Sequence, residues 1–469
     1  MKTNNPLRIL ILGKDARTDA IASACLAGRR NCELFAFSDY NNPGFLAKCK
    51  HLAIGPLNDV AAILRYADEI RPDLTIIGPE EPLAAGVVDA LTSIGIPCFG
   101  PQKDLARIET SKAWTRELLA KYHIGGNPNF QVFTSTRGLA RYLHELGEYV
   151  IKPDGLTSGK GVKLSSEHLT SDQAAIDYAT EVIQSHGRVV IEEKLQGEEF
   201  SLQSITDGET ILHCPIVQDH KRVGEGDVGP NTGGMGSYSC ADFSLPFLSD
   251  RDVVEAKAIN TAVMHAIREE TGLPYRGVLY GGFIATRSGT RLIEYNARFG
   301  DPEAMNILPL LETDFVDLCF AVATGRLSSV HPTFQEKYTV CKYVVPDGYP
   351  VHAVKDRLVE IPESFLHNPD IRVFFAGVDQ RGSDWYLTGS RSVAFVGIAD
   401  TLIAAESLSE AAAASVKGPV IYRRDIGTSD LIRTRIQHMS ALRDRRDTRL
   451  TNDNLGTGGG MQPRIKTAI

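Results

Sequence analysis

The first hundred residues alternate short apolar runs with segments whose apolar residues recur at helical spacing. Apolar runs predict buried strands at residues 7–12, 33–37, 74–77 and 96–99. Helical periodicity predicts helices at residues 18–29 and 58–70. Because parallel strands need crossover helices, this alternation predicts a Rossmann-like parallel sheet covered on both faces. Ligands bind such sheets at the carboxyl ends of the strands, here the loops after Leu12, Phe37 and Ile77.

The rest of the chain mixes helical and strand patterns in three further units. A helical stretch at residues 102–122 precedes strands predicted at 148–152, 161–164 and 188–192. A larger unit has strands predicted near 200–206, 210–217, 278–286 and 290–295, and another α/β segment begins at 337–345. We therefore expect a multidomain α/β and α+β protein, divided at residues 1–104, 105–195, 196–330 and 331–435. Residues 436–469 carry alternating charges and little apolar surface, which predicts a mobile tail.

Composition narrows the class of protein. The chain has 469 residues, 43% of them hydrophobic, and a net charge of −8. That balance argues against a general nucleic-acid or membrane-surface binder, although a local basic cleft can still hold phosphates. No apolar run approaches the roughly 20 residues that span a bilayer. We expect a cytoplasmic protein that acts on small molecules.

A polar strand end provides the first candidate site. Strand alternation places Glu294 and Asn296 on one face, and Arg298 shares that face if the strand continues. Two hard oxygen ligands suit Mg²⁺, which takes one or two protein ligands plus phosphate oxygens. A guanidinium beside them can neutralise a transferring phosphoryl group. The alternative is a polar strand end with a surface ion pair.

A glycine-rich loop follows a second strand end. Lys152 precedes Gly155, Gly159 and Gly161, and another strand follows. Glycines let backbone N–H groups approach phosphates closely, and Lys152 would add a point charge beside a triphosphate. A Walker A loop is excluded because that motif leads into a helix. The alternative is a glycine-rich hairpin with solvated lysines.

Two more polar stretches are weaker candidates. The acidic turn 192–199 can offer backbone groups to a nucleobase and a carboxylate to ribose, or it can simply be solvated. The segment 218–237 places Asp219, His220, Lys221 and Arg222 beside six glycines. A loop this long and glycine-rich is usually functional or disordered, and its basic triplet suits an anionic substrate.

Together these stretches resemble the ATP-grasp superfamily and, within it, the phosphoribosylamine–glycine ligase family. The resemblance covers about residues 7–430. It rests on an ordered series of segments: GPEEPLAAGVVD (78–89), SKAWTRELL (111–119), IKPDGLTSGKGV (151–162), EEKLQGEE (192–199), QDHKRVGEGDVGPNTGGMGSYS (218–239), IEYNARFGDPE (293–303), PDGYP (346–350) and RRDIG (423–427). Several long motifs in the right order are far more specific than any one of them.

The resemblance implies a two-part ATP-grasp fold between the Rossmann-like domain and a small C-terminal α/β domain. It implies ATP and Mg²⁺, with Mn²⁺ as a substitute ion, small-molecule substrates, and a monomer or weak dimer. The implied metal ligands are Glu294 and Asn296, and the implied catalytic residues are Arg298, Lys152 and Asp219. The implied ATP-binding residues are Lys112, Lys152, Gly159, Lys160, Gly161, Glu192, Lys194, Leu195 and Glu199. The implied substrate-binding residues are Gly13, Arg17, Pro79, Glu80, Asp219, His220, Lys221, Arg222, Asn231, Arg298, Gly300 and Asp301.

The implied reaction has two steps and belongs to de novo purine biosynthesis. Glycine carboxylate attacks the γ-phosphoryl group of ATP to give an acyl phosphate, and the amine of phosphoribosylamine then displaces phosphate. The protein would supply positioning and charge neutralisation, as in other phosphoryl transfers. Water must be kept from the acyl phosphate, which gives a reason for a glycine-rich flap over the site.

The turn after the first strand departs from the family pattern. Family members carry a glycine-rich turn of the form G-x-G-G-R-E-H-A, whereas this chain reads GKDARTDA at residues 13–20. Asp15 places a negative charge where a phosphate would approach. A milder change is the sequence Gly389-Ser390-Arg391 in the last domain. Three hypotheses follow: the family reaction with Lys14 and Arg17 replacing backbone contacts, a ligase for another amine and carboxylate, or a non-catalytic ATP-binding protein.

Overall fold

The N-terminal unit is a five-stranded parallel sheet with helices on both faces. The structure, a computed structural model, describes residues 5–156 and 161–444. Its first elements are β1 (Leu7–Leu12), α1 (Ala16–Ala27), β2 (Cys32–Ser38), α2 (Pro43–Lys48), β3 (His51–Ile54), α3 (Val60–Ile70), β4 (Leu74–Ile77), α4 (Glu80–Ala85), α5 (Val87–Ser93) and β5 (Cys98–Phe99). The strand order is β3-β2-β1-β4-β5. Strands β2 and β3 are added on one side of β1, and β4 and β5 lie on its other side. At this change of side, between β1 and β4, a crevice opens at the carboxyl ends of the strands.

A small antiparallel lobe follows this sheet. Its helical lead-in and body are α6 (Arg107–Thr110), α7 (Lys112–Lys121), β6 (Phe130–Phe133), α8 (Leu139–Leu146), β7 (Tyr149–Pro153), β8 (Lys163–Leu164), α9 (Asp172–His186) and β9 (Val189–Glu193). Strand order is β6-β9-β7-β8, with α8 and α9 packed on the sheet. The buried side chains of this lobe, including Leu143, Ile151 and Val182, form a core separate from the main one.

The large lobe is built on a second antiparallel sheet, of order β11-β10-β16-β17. Its elements are β10 (Gly197–Thr206), β11 (Ile211–His213), β12 (Gln218–Asp219), β13 (Arg222–Gly224), β14 (Val228–Asn231), β15 (Gly236–Ser239), α10 (Asp250–Thr271), β16 (Gly277–Thr286), β17 (Gly289–Asn296), α11 (Glu303–Ile307) and α12 (Phe315–Ala323). Strands β13 and β14 form a separate hairpin. Helix α10 has a capping box in which Ser249 and Asp252 satisfy each other's backbone N–H groups.

The C-terminal unit shares its sheet with the preceding segment. Its elements are β18 (Tyr338–Pro346), α13 (Glu363–Leu366), β19 (Ile371–Phe375), β20 (Val378–Arg381), β21 (Asp384–Leu387), β22 (Val393–Ala399), α14 (Leu402–Ala414), β23 (Val420–Ile421) and α15 (Ser429–Asp444). The sheet order is β12-β15-β18-β22-β19, and β23 pairs with β18. Strands β12 and β15 therefore attach the segment around Asp219 to this unit.

The predicted tail differs from the structure at its start. We expected a mobile segment from residue 436, but α15 continues to Asp444 and buries Met439 and Leu442. Apolar residues at helical spacing hold these nine residues against the body of the protein, which is the reason for the correction. The remainder of the predicted tail lies outside the described residues.

One large apolar core joins the N-terminal, large-lobe and C-terminal units. It includes Ile11 of β1, Phe283 of β16 and Val340 of β18, all without solvent exposure. Across the described ranges, no helix is both long and apolar enough to cross a membrane. The small lobe, with its separate core, closes over the remaining three units and leaves a deep cleft between them.

Candidate active site

A cleft of about 1110 Å³ lies where the four units meet. The small lobe contributes Lys152 and Leu195 to its wall, and β17 contributes Glu294. Lys14 comes from the loop after β1, and Arg391 comes from the turn before β22. The cleft thus has a nucleotide half between the two lobes and a substrate half between the N-terminal and C-terminal units.

Two oxygen-bearing side chains line the nucleotide half on β17. Glu294 pairs with Gly282 of β16, and Asn296 pairs with Tyr280, so both side chains project from the same face. Within the described residues, no hydrogen bond or ion pair engages either side chain. Burial alone would raise the pKa of Glu294, but Lys221, Lys152 and Lys112 lower it, so the carboxylate is charged. A free carboxylate beside a free amide oxygen fits a hard divalent cation.

A buried ion-pair network stands behind these ligands. Arg116 of α7 binds Glu192 with two hydrogen bonds, Nε to Oε1 at 2.7 Å and Nη2 to Oε2 at 2.9 Å. Lys152 lies 2.7 Å from the same carboxylate and donates to Ile293 O at 2.9 Å. Against the effect of burial, Arg116 and Lys152 lower the pKa of Glu192 to about 2. Lys152 therefore faces the cleft as part of a fixed network, with a pKa lowered by burial.

The glycine-rich loop is anchored on the N-terminus of α7. Lys112 donates to Gly155 O at 2.7 Å, and Asp154 accepts from Ala113 N at 3.0 Å. Gly161 O accepts from the Tyr178 hydroxyl at 2.6 Å. These contacts hold both ends of the loop at the cleft. The predicted phosphate contacts Gly159 and Lys160 lie outside the described residues.

The predicted base and ribose contacts lie at the junction of the lobes. Lys194 and Leu195 line the cleft immediately after β9. Lys194 lies 3.5 Å from Glu167, and Glu199 lies 3.2 Å from Lys221. The Glu199 carboxylate is the main cause of the raised pKa of Lys221, so this lysine keeps its charge in the cleft. Carboxylate and backbone groups are thus available for a nucleoside at this end.

Arg298 occupies the boundary between the two halves. Its Nε lies 3.2 Å from Glu80, and its Nη2 lies 2.9 Å from Glu109. Although burial opposes it, these two carboxylates raise the pKa of Arg298. Glu109 also accepts from Ala297 N at 2.8 Å. The guanidinium is therefore fixed in place by carboxylates from the N-terminal unit and from α6.

The segment 218–231 forms one wall of the cleft. Burial and the nearby Glu303 carboxylate raise the pKa of Asp219 well above its ordinary value. His220 is buried, and burial lowers its pKa to about 3, so it is neutral. Arg222 lines the cleft and lies 2.6 Å from Glu167 of the small lobe. Asn231 pairs with Arg222 across the β13–β14 hairpin and lines the cleft.

Asp301 connects three units at the floor of the substrate half, beside Gly300. Its Oδ1 accepts from the Tyr343 hydroxyl at 2.6 Å and lies 3.2 Å from Arg391. Its Oδ2 accepts from Arg17 N at 3.4 Å. The carboxylate is thus committed to the protein's own donors, which makes it a structural hub within the predicted substrate residues.

The loop after β1 satisfies its own charges. Asp15 caps α1 by accepting from Thr18 N at 3.0 Å, and it pairs with Arg17. Arg17 also donates to Phe299 O at 2.8 Å, while its buried Nε has no hydrogen-bond partner among residues 5–156 and 161–444. Lys14 lies 2.8 Å from Asp39 and 3.0 Å from Glu81.

Among the other predicted substrate residues of the N-terminal unit, Pro79, which follows β4, lines the cleft, whereas Gly13 is buried and does not. A Cβ at Gly13 would lie 2.2 Å from Thr18 Oγ1, which explains the glycine by packing. The two predicted substrate residues at the start of α1 thus differ in position, since Arg17 lines the cleft and Gly13 does not.

Sequence reasoning missed several charged groups that shape the cleft. Arg116, Glu109 and Arg391 are each held by partners far away in the chain, so no local pattern marks them. Arg116 lies within the SKAWTRELL segment that supported the resemblance, but its burial is visible only in the folded structure.

The lobes, the lysines directed at one cleft and the free β17 ligands define an ATP-grasp protein. The chain matches the phosphoribosylglycinamide synthetase ATP-grasp (A) domain at residues 110–304, the N domain at 7–109 and the C domain at 339–429. This chain belongs to the phosphoribosylglycinamide synthetase family. The predicted fold class and family resemblance are thereby confirmed.

Curated relatives match over nearly the full chain. Phosphoribosylamine–glycine ligase of Methanocella arvoryzae is 45% identical over 437 residues, covering 93% of this chain and 100% of the relative. The Methanosarcina barkeri protein of the same name is 44% identical, with the same coverage. The Thermotoga maritima phosphoribosylamine–glycine ligase structure superposes with a TM-score of 0.75 at 28% identity, over 89% of this chain and 100% of that one. Biotin carboxylase from Campylobacter jejuni shares the fold at a TM-score of 0.70 and 13% identity, covering 93% and 99%.

Proposed function

We propose that this protein is an ATP-dependent carboxylate–amine ligase that joins glycine to 5-phosphoribosylamine in de novo purine biosynthesis. The products are glycinamide ribonucleotide, ADP and phosphate. The single observation that carries the proposal is the charged, unengaged Glu294 carboxylate, beside Asn296 and among Lys112, Lys152 and Lys221. Family membership and the names of full-length relatives support the same reaction. We expect the enzyme to act in the cytoplasm as a monomer or weak dimer.

The residues of the nucleotide half have separable roles in this proposal. Glu294 and Asn296 would hold Mg²⁺, which neutralises charge on phosphate oxygens when bound. Lys112 and Lys152 would contact the phosphates, the backbone of residues 192–195 the adenine, and Glu199 the ribose. This arrangement favours phosphoryl transfer by fixing charges before the reaction, so that little reorganisation is needed during it.

The boundary residues would act on the carboxylate and the acyl phosphate. A glycine carboxylate oxygen attacks the γ-phosphorus, ADP leaves, and the amine nitrogen then displaces phosphate from the acyl carbon. Arg298, held by Glu80 and Glu109, would stabilise the negative charge that develops on the transferred group. The raised pKa of Asp219 favours its uncharged form, so this side chain would lie beside the anionic substrates with little electrostatic repulsion.

A second candidate function is a ligase for an amine that lacks a phosphate group. The observation that favours it is the loop after β1, where Asp15 occupies the N-cap of α1 and Lys14 and Arg17 are paired with carboxylates. A helix N-terminus after the first strand of such a sheet is a general anion site. Here that position already holds an anion of the protein itself.

Phosphate release from Mg-ATP and glycine, with and without freshly made phosphoribosylamine, tests the proposal. We expect release to require glycine and phosphoribosylamine together, with glycinamide ribonucleotide formed in equal amount. ATP binding without release would reject this amine or carboxylate and lead to a screen of unphosphorylated amines. No binding of Mg-ATP at millimolar concentration would reject the ligase assignment itself.

A further inference from the structure

Helix α15 contributes two side chains to the cleft, although nearly all of this helix lies after the end of the matched C domain. The family match ends at residue 429, where this helix begins. Arg435 and His438 nevertheless line the cleft, one helical turn apart. The mechanism proposed above does not use either residue.

The first contact of α15 is with the tip of the β13–β14 hairpin. Asp227 at this tip has φ of 58°, a left-handed conformation that its surroundings must hold in place. Its carboxylate is bound between Arg423, at 2.7 Å, and Arg435. Asp425 holds the neighbouring backbone by accepting from Gly226 N at 2.9 Å. The hairpin tip is therefore attached to the C-terminal segment by charged hydrogen bonds.

The opposite side of the hairpin reaches the small lobe. Arg222 donates through Nη2 to Glu167 at 2.6 Å, while its own backbone oxygen accepts from Arg423 at 3.1 Å. Thr232 N donates to Lys221 O at 2.7 Å and closes the base of the hairpin. The hairpin therefore spans the nucleotide half of the cleft, from α15 and its preceding segment to the small lobe.

The second contact of α15 is with β10. Glu198 is 5% exposed and lies 2.5 Å from His438 Nδ1 and 3.4 Å from Arg435 Nε. Glu198 and the next residue, Glu199, both line the cleft, and Glu199 lies 3.2 Å from Lys221. The contacts of Glu198 with α15 therefore also restrain the backbone that carries Glu199.

These contacts make Arg435 the common partner of the hairpin and of β10. The groups that face it are the carboxylates of Glu198 and Asp227, with Arg423 and His438 as their other partners. Because Arg435 is only 18% exposed in its side chain, its removal would leave two carboxylates under-compensated in a partly buried place. The effect would reach Glu199 and the hairpin together.

We propose that α15 is a latch and that Arg435 is a positioning residue for the ligase reaction. The latch holds the β13–β14 hairpin over the nucleotide half and keeps Glu199 directed at the nucleotide. A closed hairpin excludes water from the acyl phosphate. When the hairpin is released, water attacks the acyl phosphate, phosphate leaves, and glycine is regenerated without amide formation. The kinetic part rests on the proposed function, whereas the conformational part does not.

Hydrogen exchange of the purified full-length chain tests the conformational part. Arg435→Ala should raise amide exchange in residues 222–231 about tenfold or more, because the hairpin loses its attachment to α15. The matched control is Arg433→Ala, which removes an exposed arginine of the same helix that pairs with Asp430. Equal hairpin exchange in both variants and in wild type would overturn the latch. Asp227→Asn, which alters the other partner, provides a second route if Arg435→Ala does not fold.

The ratio of phosphate released to amide formed tests the kinetic part. Wild type and Arg433→Ala should keep this ratio near one, whereas Arg435→Ala should raise it about threefold or more and also raise KM for ATP. Arg435→Lys, which retains the charge, should restore part of the coupling. A ratio near one in Arg435→Ala, with only a lower melting temperature, would show a structural role alone and reject the inference. Absence of turnover in wild type would reject the proposed function but leave the exchange result valid.

Discussion

The two halves of the cleft differ in how their candidate ligand-binding side chains are paired. In the nucleotide half, the Glu294 carboxylate is charged, lines the cavity and has no bonded partner within the described residues. In the substrate half, Lys14 and Arg17 are both paired with carboxylates of the protein. The nucleotide half therefore keeps one carboxylate available for an incoming cation, whereas both basic side chains of the loop after β1 already have carboxylate partners.

The loop after β1 is one place where the chain departs from the family pattern. The chain is 44–45% identical to full-length relatives, yet its loop after β1 keeps only Gly13 of the three glycines in the family pattern. In this loop the Asp15 side chain caps α1. We therefore expect any difference from the relatives to lie in recognition of the amine rather than in phosphoryl transfer.

The largest expected effect comes from breaking the nucleotide half at Glu294. Glu294→Ala removes the charged member of the proposed metal pair and should lower kcat at least about a hundredfold. Saturating Mg²⁺ should recover little of this loss, since the ligand itself is gone. Steady-state kinetics across a magnesium series provide the measurement. Glu363→Ala, at an exposed position of α13, is the control. Near-normal turnover in Glu294→Ala would remove the site assignment.

The second effect is on stability and tests the network behind the site. Glu192→Gln should reduce the free energy of unfolding by about 3 kcal/mol at pH 7, since each pKa unit corresponds to about 1.4 kcal/mol. The folded pKa of about 2 lies below the ordinary glutamate value of 4.5. The stabilisation is therefore complete above about pH 4.5 and is lost as pH falls toward 2.

The comparison should be made with the neighbouring residue by thermal unfolding at several pH values. Glu193→Gln affects a partly exposed pair with Arg291 and should cost about 1 kcal/mol or less. The difference in melting temperature between Glu192→Gln and wild type should narrow as the pH falls below 4.5. A constant difference at all pH values would mean that the charge of Glu192 is not the source of its effect.

The smallest expected effect sharpens the comparison at the substrate half. Asp15→Asn keeps a capping side chain on α1 but removes its charge. If the amine carries a phosphate to this helix end, KM for phosphoribosylamine should fall about fivefold, equivalent to about 1 kcal/mol. Asp59→Asn is a matched control because Asp59 caps α3 of the same sheet by an equivalent bond to Ala62 N. An unchanged KM in Asp15→Asn would favour the amine without phosphate.

The sequence predicted well the elements that are buried along their whole length. Residues 7–12 and 74–77 coincide with β1 and β4, because central parallel strands are continuous apolar runs. Strands β3 and β6 were not predicted. Each has four residues, lies at a sheet edge and is partly exposed, so its apolar pattern is short and incomplete.

The candidate site also contains residues that the sequence could place and residues that it could not. Strand alternation was enough to place Glu294 and Asn296 together, because their relation is local. The pairing of Arg116 with Glu192 joins positions 76 residues apart, and that of Arg298 with Glu109 depends on the packing of α6 against β17. In the division based on sequence, His438 fell within the predicted tail and Arg435 immediately before it, because the partners of both residues lie in β10 and the hairpin. Such contacts become visible only when the chain is folded.

The separate core of the small lobe has a consequence for the rate of the enzyme. Opening the cleft need not disturb the large shared core, because the lobe meets the hairpin through charge pairs such as Arg222 with Glu167. These partners are partly exposed, so dissolved ions screen them. If release of product limits turnover, moderate salt should speed the cycle while weakening the hold on ATP. Ionic strength would then set the turnover rate, because it determines how strongly the small lobe is held closed.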